Sequence, residues 1–285
     1  MTLNGLFSTR QTGRSSPRFA GMAVTVVGAT GGFGEALVEA FTREGAQVTA
    51  LARSHDRLQD LASTWGCRVL RVDLLALETL ANIAAQLGRQ DIVVFATGAD
   101  VRKPFLLHSQ DEMAQLVNVN LLGPIVLTRA LADRCMKPYG VIAHIGGFGD
   151  GHLALPYYAV DAATRSALAS LCQALRREFQ LEGRALTVSY LCPEPADTAA
   201  ERPFGPLWAR MGAPLVSVDR VADFVLTALA ANSPSAVMGR QTWWLSKANA
   251  LCPALVDRLM RGQLGRQLKA AFGTPHPAQG LDERG

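Results

Sequence analysis

The sequence is poor in the features that mark metal, membrane and nucleic-acid proteins. Its five cysteines stand far apart and never form a CxxC pair, which predicts buried thiols in a reducing compartment and no metal cluster. No uninterrupted apolar run reaches the ~18 residues that a membrane span requires. Basic residues are scattered and the net charge is only +4, so we expect no nucleic-acid partner. What remains is a globular chain with ample core material, since 49% of its 285 residues are hydrophobic.

Short apolar runs alternate with amphipathic helical stretches from residue 23 to about residue 191. This alternation predicts an α/β fold, a single doubly wound Rossmann domain whose parallel sheet carries helices on both faces. Strands are expected at residues 23–27, 48–51, 68–72, 91–96, 141–145 and 186–191, with an edge strand at 237–245. Helices are expected at residues 33–45, 57–65, 112–136, 157–181, 217–231 and 253–268.

The domain organisation follows from where this alternation starts and stops. Residues 22–245 form the predicted domain, in which a Pro- and Gly-rich flap at 198–217 interrupts the pattern. A helical extension at 246–272 and a disordered tail at 273–285 follow. Residues 1–21 contain several arginines and no acid, a composition that an organelle-targeting peptide shares. We favour a disordered leader and a cytoplasmic location, with targeting by residues 1–20 as the alternative.

A glycine-rich turn between the first strand and the first helix predicts a dinucleotide site. Gly28 permits the tight turn, Gly32 lets the backbone approach a pyrophosphate, and Gly34 lets the helix pack closely on the sheet. The helix N-terminus supplies amide donors and the positive end of a dipole. The predicted cofactor contacts in this turn are Gly28, Thr30, Gly31, Gly32, Phe33 and Gly34.

The residue after the second strand indicates which dinucleotide binds. An acid at this point would bind the 2′-hydroxyl of the adenosine ribose. This chain has Arg53 there, and a guanidinium suits a 2′-phosphate through charge-assisted hydrogen bonds. NADP(H) is therefore favoured over NAD(H).

The spacing of the three glycines resembles the short-chain dehydrogenase/reductase family. The resemblance spans roughly residues 23–231 and implies further cofactor contacts. These are Asp73 at the adenine, Gly98 after the fourth strand, Asn120 in the following helix, and Pro193 and Thr198 in the loop over the nicotinamide. The chain departs from the family pattern at Glu194, where the family has a glycine, and at residues 95–97, where it has Asn-Asn-Ala.

The predicted active site departs further from that pattern. The family uses a tyrosine as acid/base, a lysine four residues later, a serine that holds the substrate oxygen and a supporting asparagine. The resemblance places Tyr157 at the tyrosine, Asp161 at the lysine, Gly147 at the serine and Asn120 at the asparagine. An aspartate at the lysine position would raise the phenol pKa by like-charge repulsion, which Arg165 would offset through a helical salt bridge.

Four other residues are candidates for the missing chemistry. Histidine is the side chain suited to acid/base work near neutral pH, and His152 lies in the loop that should border the substrate, so it is the most plausible replacement acid/base. His144 on the fifth strand is better explained as a buried, hydrogen-bonded side chain. Tyr158 is a further candidate, and Glu194 either faces the substrate or is solvated.

Three functions are therefore open. We favour an NADP(H)-binding oxidoreductase that acts on a carbonyl or alcohol, with bulky apolar flap residues indicating a bulky apolar substrate. The alternatives are a non-redox isomerase, dehydratase or cyclase on this scaffold, and a catalytically inactive NADP(H)-binding or partner protein. Family resemblance implies a homodimer or homotetramer through the helices at 112–136 and 157–181. Membrane contact through residues 253–268 is the less favoured interpretation of that basic segment.

Overall fold

The computed structural model describes residues 17–147 and 151–274. Seven parallel strands form one sheet in the order β3-β2-β1-β4-β5-β6-β7. The strands are β1 (Ala23–Val27), β2 (Gln47–Ala52), β3 (Arg68–Arg71), β4 (Gln90–Phe95), β5 (Met136–Ile145), β6 (Thr187–Cys192) and β7 (Ser235–Val237). The predicted doubly wound Rossmann fold is confirmed.

The helices lie in the connections between strands. They are α1 (Gly32–Arg43), α2 (His55–Trp65), α3 (Leu80–Leu87), α4 (Gln110–Val117), α5 (Gly123–Arg134), α6 (Ala159–Leu181), α7 (Gly205–Arg210), α8 (Val218–Ala230), α9 (Arg240–Leu251), α10 (Pro253–Met260) and α11 (Gln263–Phe272). Ser217 caps α8, where its hydroxyl accepts a hydrogen bond from the Arg220 amide at 3.3 Å.

Two apolar layers enclose the sheet because successive side chains of a strand point to opposite faces. Val26 of β1 and Val94 of β4 belong to the layer that contains α1 and α8. Val27 and Phe95, the next residues along each strand, belong to the layer that contains α3, α5 and α6. The central strands are buried on both faces, which is why they read as continuous apolar runs.

The strand order reverses between β1 and β4, and this reversal positions the site. From β1 the chain builds outward to β2 and β3 on one side, then returns to β4 on the other. The connections leave a crevice outside the carboxyl ends of the strands at this point, where open α/β sheets bind ligands.

The segment from Gln110 to Arg134 is long and apolar enough, by length and composition, to cross a membrane. It comprises α4, a π-helical turn at Asn118–Leu122, and α5. Helix α5 packs on α3 and α4 packs on α6, so this segment is part of a core layer. The oligomer predicted through these helices stays a prediction.

The predicted edge strand at 237–245 is wrong beyond its first residue. Strand β7 ends at Val237, Gly239 adopts φ +94°, and α9 begins at Arg240. A left-handed glycine cannot continue a strand and here lets the chain turn into the helix. The predicted domain boundary at 245 falls inside α9. The leader up to residue 16, the tail from residue 275 and loop residues 148–150 lie outside the described residues.

Candidate cofactor and catalytic site

The glycine turn has the shape that a pyrophosphate cradle requires. Gly28 adopts φ +83°, and the amides of Gly28 and Ala29 donate to the Leu51 carbonyl at 2.8 and 3.0 Å. A Cβ on Gly34 would collide with the Gly28 carbonyl oxygen, so α1 can begin here only with glycine. Gly31 precedes α1 without a side-chain cap. The first backbone amides of α1 are therefore arranged as they are in phosphate sites at helix N-termini.

The loop after β6 reaches the same turn. Pro193 follows β6, and the methyl carbon of Thr198 lies 2.7 Å from where a Cβ on Gly32 would stand. Two predicted cofactor residues from distant parts of the sequence are therefore in contact. This loop can pack against the turn because Gly32 has no side chain.

Two arginines stand at the adenosine end of the crevice. Arg53 follows β2, and its carbonyl accepts a hydrogen bond from Arg71 Nε at 3.1 Å. Arg57 of α2 donates to the Thr30 carbonyl and to Glu35 Oε1, the latter at 2.7 Å. Sequence reasoning missed Arg57, although its place one helical turn after Arg53 was a usable signal.

The other predicted cofactor residues lie along the crevice. Asp73 follows β3 and accepts a hydrogen bond from the Leu75 amide at 3.0 Å, which closes a local turn. Phe33 packs against the α1 layer and Thr30 is buried. Their contacts with a nucleotide stay a prediction.

Asn120 fixes the loop that follows β4. Its Oδ1 accepts from the Ala99 amide at 2.7 Å, and its Nδ2 donates to the Ala99 carbonyl at 2.8 Å. The same Nδ2 lies 3.5 Å from Asp161 Oδ1. Asn120 belongs to the π-helical turn, a feature that is frequent at functional sites.

Asp161 and Arg165 form a buried ion pair on the first turns of α6. Arg165 Nε donates to Asp161 Oδ1 at 3.1 Å, and Nη1 donates to the Ile145 carbonyl at 3.3 Å. The predicted salt bridge is confirmed. Burial raises the Asp161 pKa, an effect that Arg165 partly offsets. Burial also opposes the charge on Arg165, but Asp161 outweighs it and the guanidinium pKa is raised.

Small residues surround this arginine. A Cβ on Gly98 would lie 2.7 Å from Arg165 Nη2, whereas one on Gly147 would lie 3.5 Å from Nε. A Cβ on Gly146 would collide with the ring of Tyr190. The guanidinium therefore occupies the space between the ends of β4 and β5, next to Gly147, which stands where the family has a serine.

Tyr157 lies outside this group. It adopts φ +73° in the loop before α6, and its carbonyl accepts a hydrogen bond from the Lys103 amide at 3.2 Å. Its side chain packs with an apolar cluster that includes Leu155, Trp208 and Phe272. It does not line the small cavity beside Gly147, Asp161 and Arg165. The sequence prediction that Tyr157 faces the reacting centre is corrected by this geometry, because the residue precedes the helix.

The three polar candidates also lie elsewhere. The His152 side chain is exposed, and the residue's carbonyl accepts from Asn249. His144 is buried as predicted: it stacks on Phe95 with 4.4 Å between ring centroids and lies 3.1 Å from Thr128 Oγ1. Burial lowers its pKa to about 3. Glu194 points at Gly239, at the start of α9, and burial raises its pKa.

A cluster of charged and aromatic side chains surrounds Arg102 on the side of the crevice where the flap lies, which we call the substrate side. The Arg102 guanidinium pairs with Asp100 and Glu201, and Trp208 Nε1 donates to Glu201 Oε2 at 2.7 Å. Four aromatic rings surround it at centroid distances between 5.1 and 5.8 Å, from Tyr158, Phe204, Trp208 and Phe272. This Arg102 cluster joins the loop after β4, the flap, the start of α6 and α11.

The cavity left at the reacting centre is small. It measures about 40 Å³ and is lined by Gly147, Leu153, Tyr158, Asp161 and Arg165, among others. Among the described residues, the Tyr158 hydroxyl has no hydrogen-bond partner, and burial raises its pKa well above the usual value. This volume suits a few waters and is too small for a bulky substrate.

Known proteins share the fold and part of the sequence pattern. A model of the family described as short chain dehydrogenase matches residues 22–206. The cyclic-di-GMP-binding biofilm dispersal mediator protein of Escherichia coli (strain K12) is 29% identical over 190 residues, which cover 66% of this chain and 79% of that protein. The 11-beta-hydroxysteroid dehydrogenase-like 4A of Arabidopsis thaliana is 28% identical over 182 residues, and the match spans 60% of its length and 59% of this chain.

A solved structure described as BdcA in complex with NADPH superimposes with a TM-score of 0.69 at 25% identity, covering 76% of this chain and 92% of that one. The family match covers more than half of the chain and includes the glycine turn, Asn120, Asp161 and Arg165. The chain therefore belongs to the short-chain dehydrogenase family of oxidoreductases.

Proposed function

We propose that the chain is an NADP(H)-dependent oxidoreductase of carbonyls or alcohols in which Asp161 and Arg165 replace the tyrosine and the lysine. One observation carries this proposal: the Asp161–Arg165 pair lies beside Asn120 and Gly147. The two residues are four apart, as the family's tyrosine and lysine are. Asp161 therefore corresponds to the tyrosine, one helical turn later than the sequence motif around Tyr157 indicated.

The chemistry of this pair differs from that of a phenol and an amine. A carboxyl whose pKa burial has raised can hold a proton at higher pH than an exposed aspartate. In the reduction direction Asp161 in its acid form donates that proton to the substrate oxygen, and the cofactor supplies the hydride. The reduction rate then falls as the pH rises through the Asp161 pKa.

Arg165 takes the electrostatic part of the lysine. Its guanidinium is permanently charged and presents several donors in a fixed fork. Placed between the ends of β4 and β5, it is suited to hydrogen-bond the hydroxyls of the nicotinamide ribose. The Tyr158 hydroxyl, neutral because of its raised pKa, offers a donor on the side where the family's serine is replaced by Gly147.

The preference for NADP(H) is supported at the other end of the crevice. Arg53 and Arg57 both stand near the turn between β1 and α1, and no acid occupies the Arg53 position. The described relative in complex with NADPH shares this fold at 25% identity. A 2′-phosphate would meet two guanidinium groups here.

A second function is favoured by one specific observation. The cavity beside Asp161 measures only about 40 Å³, and the Arg102 cluster packs against its Tyr158 side. An NADP(H)-binding protein without turnover would have this arrangement permanently. The E. coli relative is named for ligand binding rather than for a reaction.

Cofactor titration followed by turnover assays tests both functions. NADPH and NADH are titrated into the protein by nicotinamide fluorescence, and NADPH oxidation is then followed over a panel of ketones and aldehydes. We expect tighter binding of NADPH than of NADH, and a rate that Asp161→Asn lowers by about 10²–10⁴-fold. Binding without turnover supports the second function, and no binding at millimolar cofactor contradicts both.

A further inference from the structure

Helix α9 turns its largest apolar side chains to solvent. Its buried residues are Thr242 and Ser246, both small and polar. Trp244 is 63% exposed and Leu251 is 86% exposed. At 100° per residue these two lie on one face of the helix. A helix that packs only to support its own domain shows the opposite distribution.

The exposed apolar surface continues from α9 into α10. Residues 250–255, all apolar, are all exposed at the corner between the two helices. In α10 only Val256 is buried, whereas Leu255 and Leu259 are each 50% exposed. Consecutive exposed apolar residues are costly in a protein surface unless something covers them. We refer to Trp243, Trp244, Leu251, Leu255 and Leu259 as the α9–α10 apolar surface.

Basic residues accompany this surface. Between residues 240 and 274 the chain has six lysines and arginines and one acid, a net charge of +5. The whole chain carries +4, so the other 250 residues sum to −1. Lys247 Nζ stands 5.7 Å from the centroid of the Trp243 ring, and Arg258 is exposed one turn from Leu255. The positive charge of the chain is therefore concentrated in the segment that carries the α9–α10 apolar surface.

We propose that the α9–α10 apolar surface binds the surface of an anionic lipid bilayer. Tryptophan rings partition to the headgroup level, leucines enter the acyl boundary, and lysine and arginine pair with lipid phosphates. Charge complementarity selects this occupant over a second copy of the chain, because two copies would bring +5 against +5. The region lies beyond residue 206, where the family match ends, so it is a property of this chain rather than of the shared domain.

Vesicle flotation tests this proposal with the full-length protein. The protein is mixed with vesicles of phosphatidylcholine alone and with vesicles that also contain phosphatidylglycerol. We expect flotation with the anionic vesicles and little with the neutral ones. Arg258→Glu with Arg261→Glu should weaken binding by at least about tenfold, since each basic residue near an anionic surface contributes roughly fivefold.

Matched surface variants locate the contact. Trp244→Ser with Leu251→Ser should abolish flotation, whereas Leu181→Ser, at a leucine that is 90% exposed on α6, should leave it unchanged. Thermal unfolding of each variant confirms that it folds. Absence of flotation with anionic vesicles, or equal flotation of all variants, overturns the proposal. A dimer interface would overturn it as well. In that case light scattering would show a wild-type dimer that does not float with vesicles, and Trp244→Ser/Leu251→Ser would dissociate that dimer.

Discussion

The half of the crevice around β1 and α1 keeps the family's sequence pattern, whereas the half around β5 and α6 departs from it. Around β1 and α1 the glycine spacing is intact, and Thr198 rests on Gly32. Around β5 and α6 the Asp161–Arg165 ion pair lies beside Gly147, and we propose that this pair takes the places of the tyrosine and the lysine. On this proposal the first half binds the cofactor through backbone amides, which depend on backbone shape. The second half acts through side-chain chemistry, which this chain has exchanged.

The exchanges in the second half fit one another. Arg165 is larger than a lysine head group, and its guanidinium reaches Gly98, a glycine that the chain shares with the family pattern. Tyr190 fills the space over Gly146. A site that had only lost residues would leave buried charges unpaired. Here the buried charges of Asp161 and Arg165 are paired, which indicates a rebuilt site.

The largest effect is expected at the cofactor half. Gly34→Ala places a Cβ against the Gly28 carbonyl, so the turn must open and NADPH binding should be lost. Gly183→Asn, after α6, is the matched control, because a Cβ there would meet no atom within 4 Å and asparagine tolerates the positive φ of +68°. Isothermal titration with NADPH measures both. Equal NADPH affinities in the two variants would show that this turn does not hold the pyrophosphate. The contrast between the two halves of the crevice would then fail.

A smaller effect, on stability, is expected in the substrate half. Arg102→Met leaves Asp100 and Glu201 without their buried partner and should lower the free energy of unfolding by about 3 kcal/mol. Arg134→Met removes an exposed arginine that pairs with Asp133 at 3.5 Å and should change it by less than about 0.5 kcal/mol. Urea unfolding distinguishes them. Similar values for both variants would show that the Arg102 cluster does not hold the substrate side together.

The fold and the cofactor half could be predicted from the sequence because both depend on local signals. Apolar periodicity marks strands and helices, and glycines mark the turn. Strand β7 was placed too late because residues 237–245 are apolar enough for either structure, and Gly239 decided the outcome. Local sequence patterns do not show whether a glycine inside such an apolar run ends the strand.

The catalytic half could not be predicted because it depends on where α6 begins. The Tyr-Tyr pair directed the sequence alignment to Tyr157, whereas the residue that lies beside Asn120 is Asp161, which pairs with Arg165. The Arg102 cluster unites four segments that lie up to 170 residues apart, from Arg102 to Phe272. No spacing rule connects such positions, so only the tertiary structure shows that the flap packs around Arg102.

The affinity for NADPH tests most directly whether Asp161 and Arg165 hold the place of the tyrosine and lysine. The dissociation constant is measured for wild type, for Asp161→Asn/Arg165→Met, which removes the pair without leaving a buried charge, and for Tyr157→Phe. We expect the double variant to bind NADPH at least about tenfold more weakly, because charged hydrogen bonds are lost. Tyr157→Phe should bind NADPH as wild type does. Weakened binding by Tyr157→Phe together with unchanged binding by the double variant would contradict the assignment.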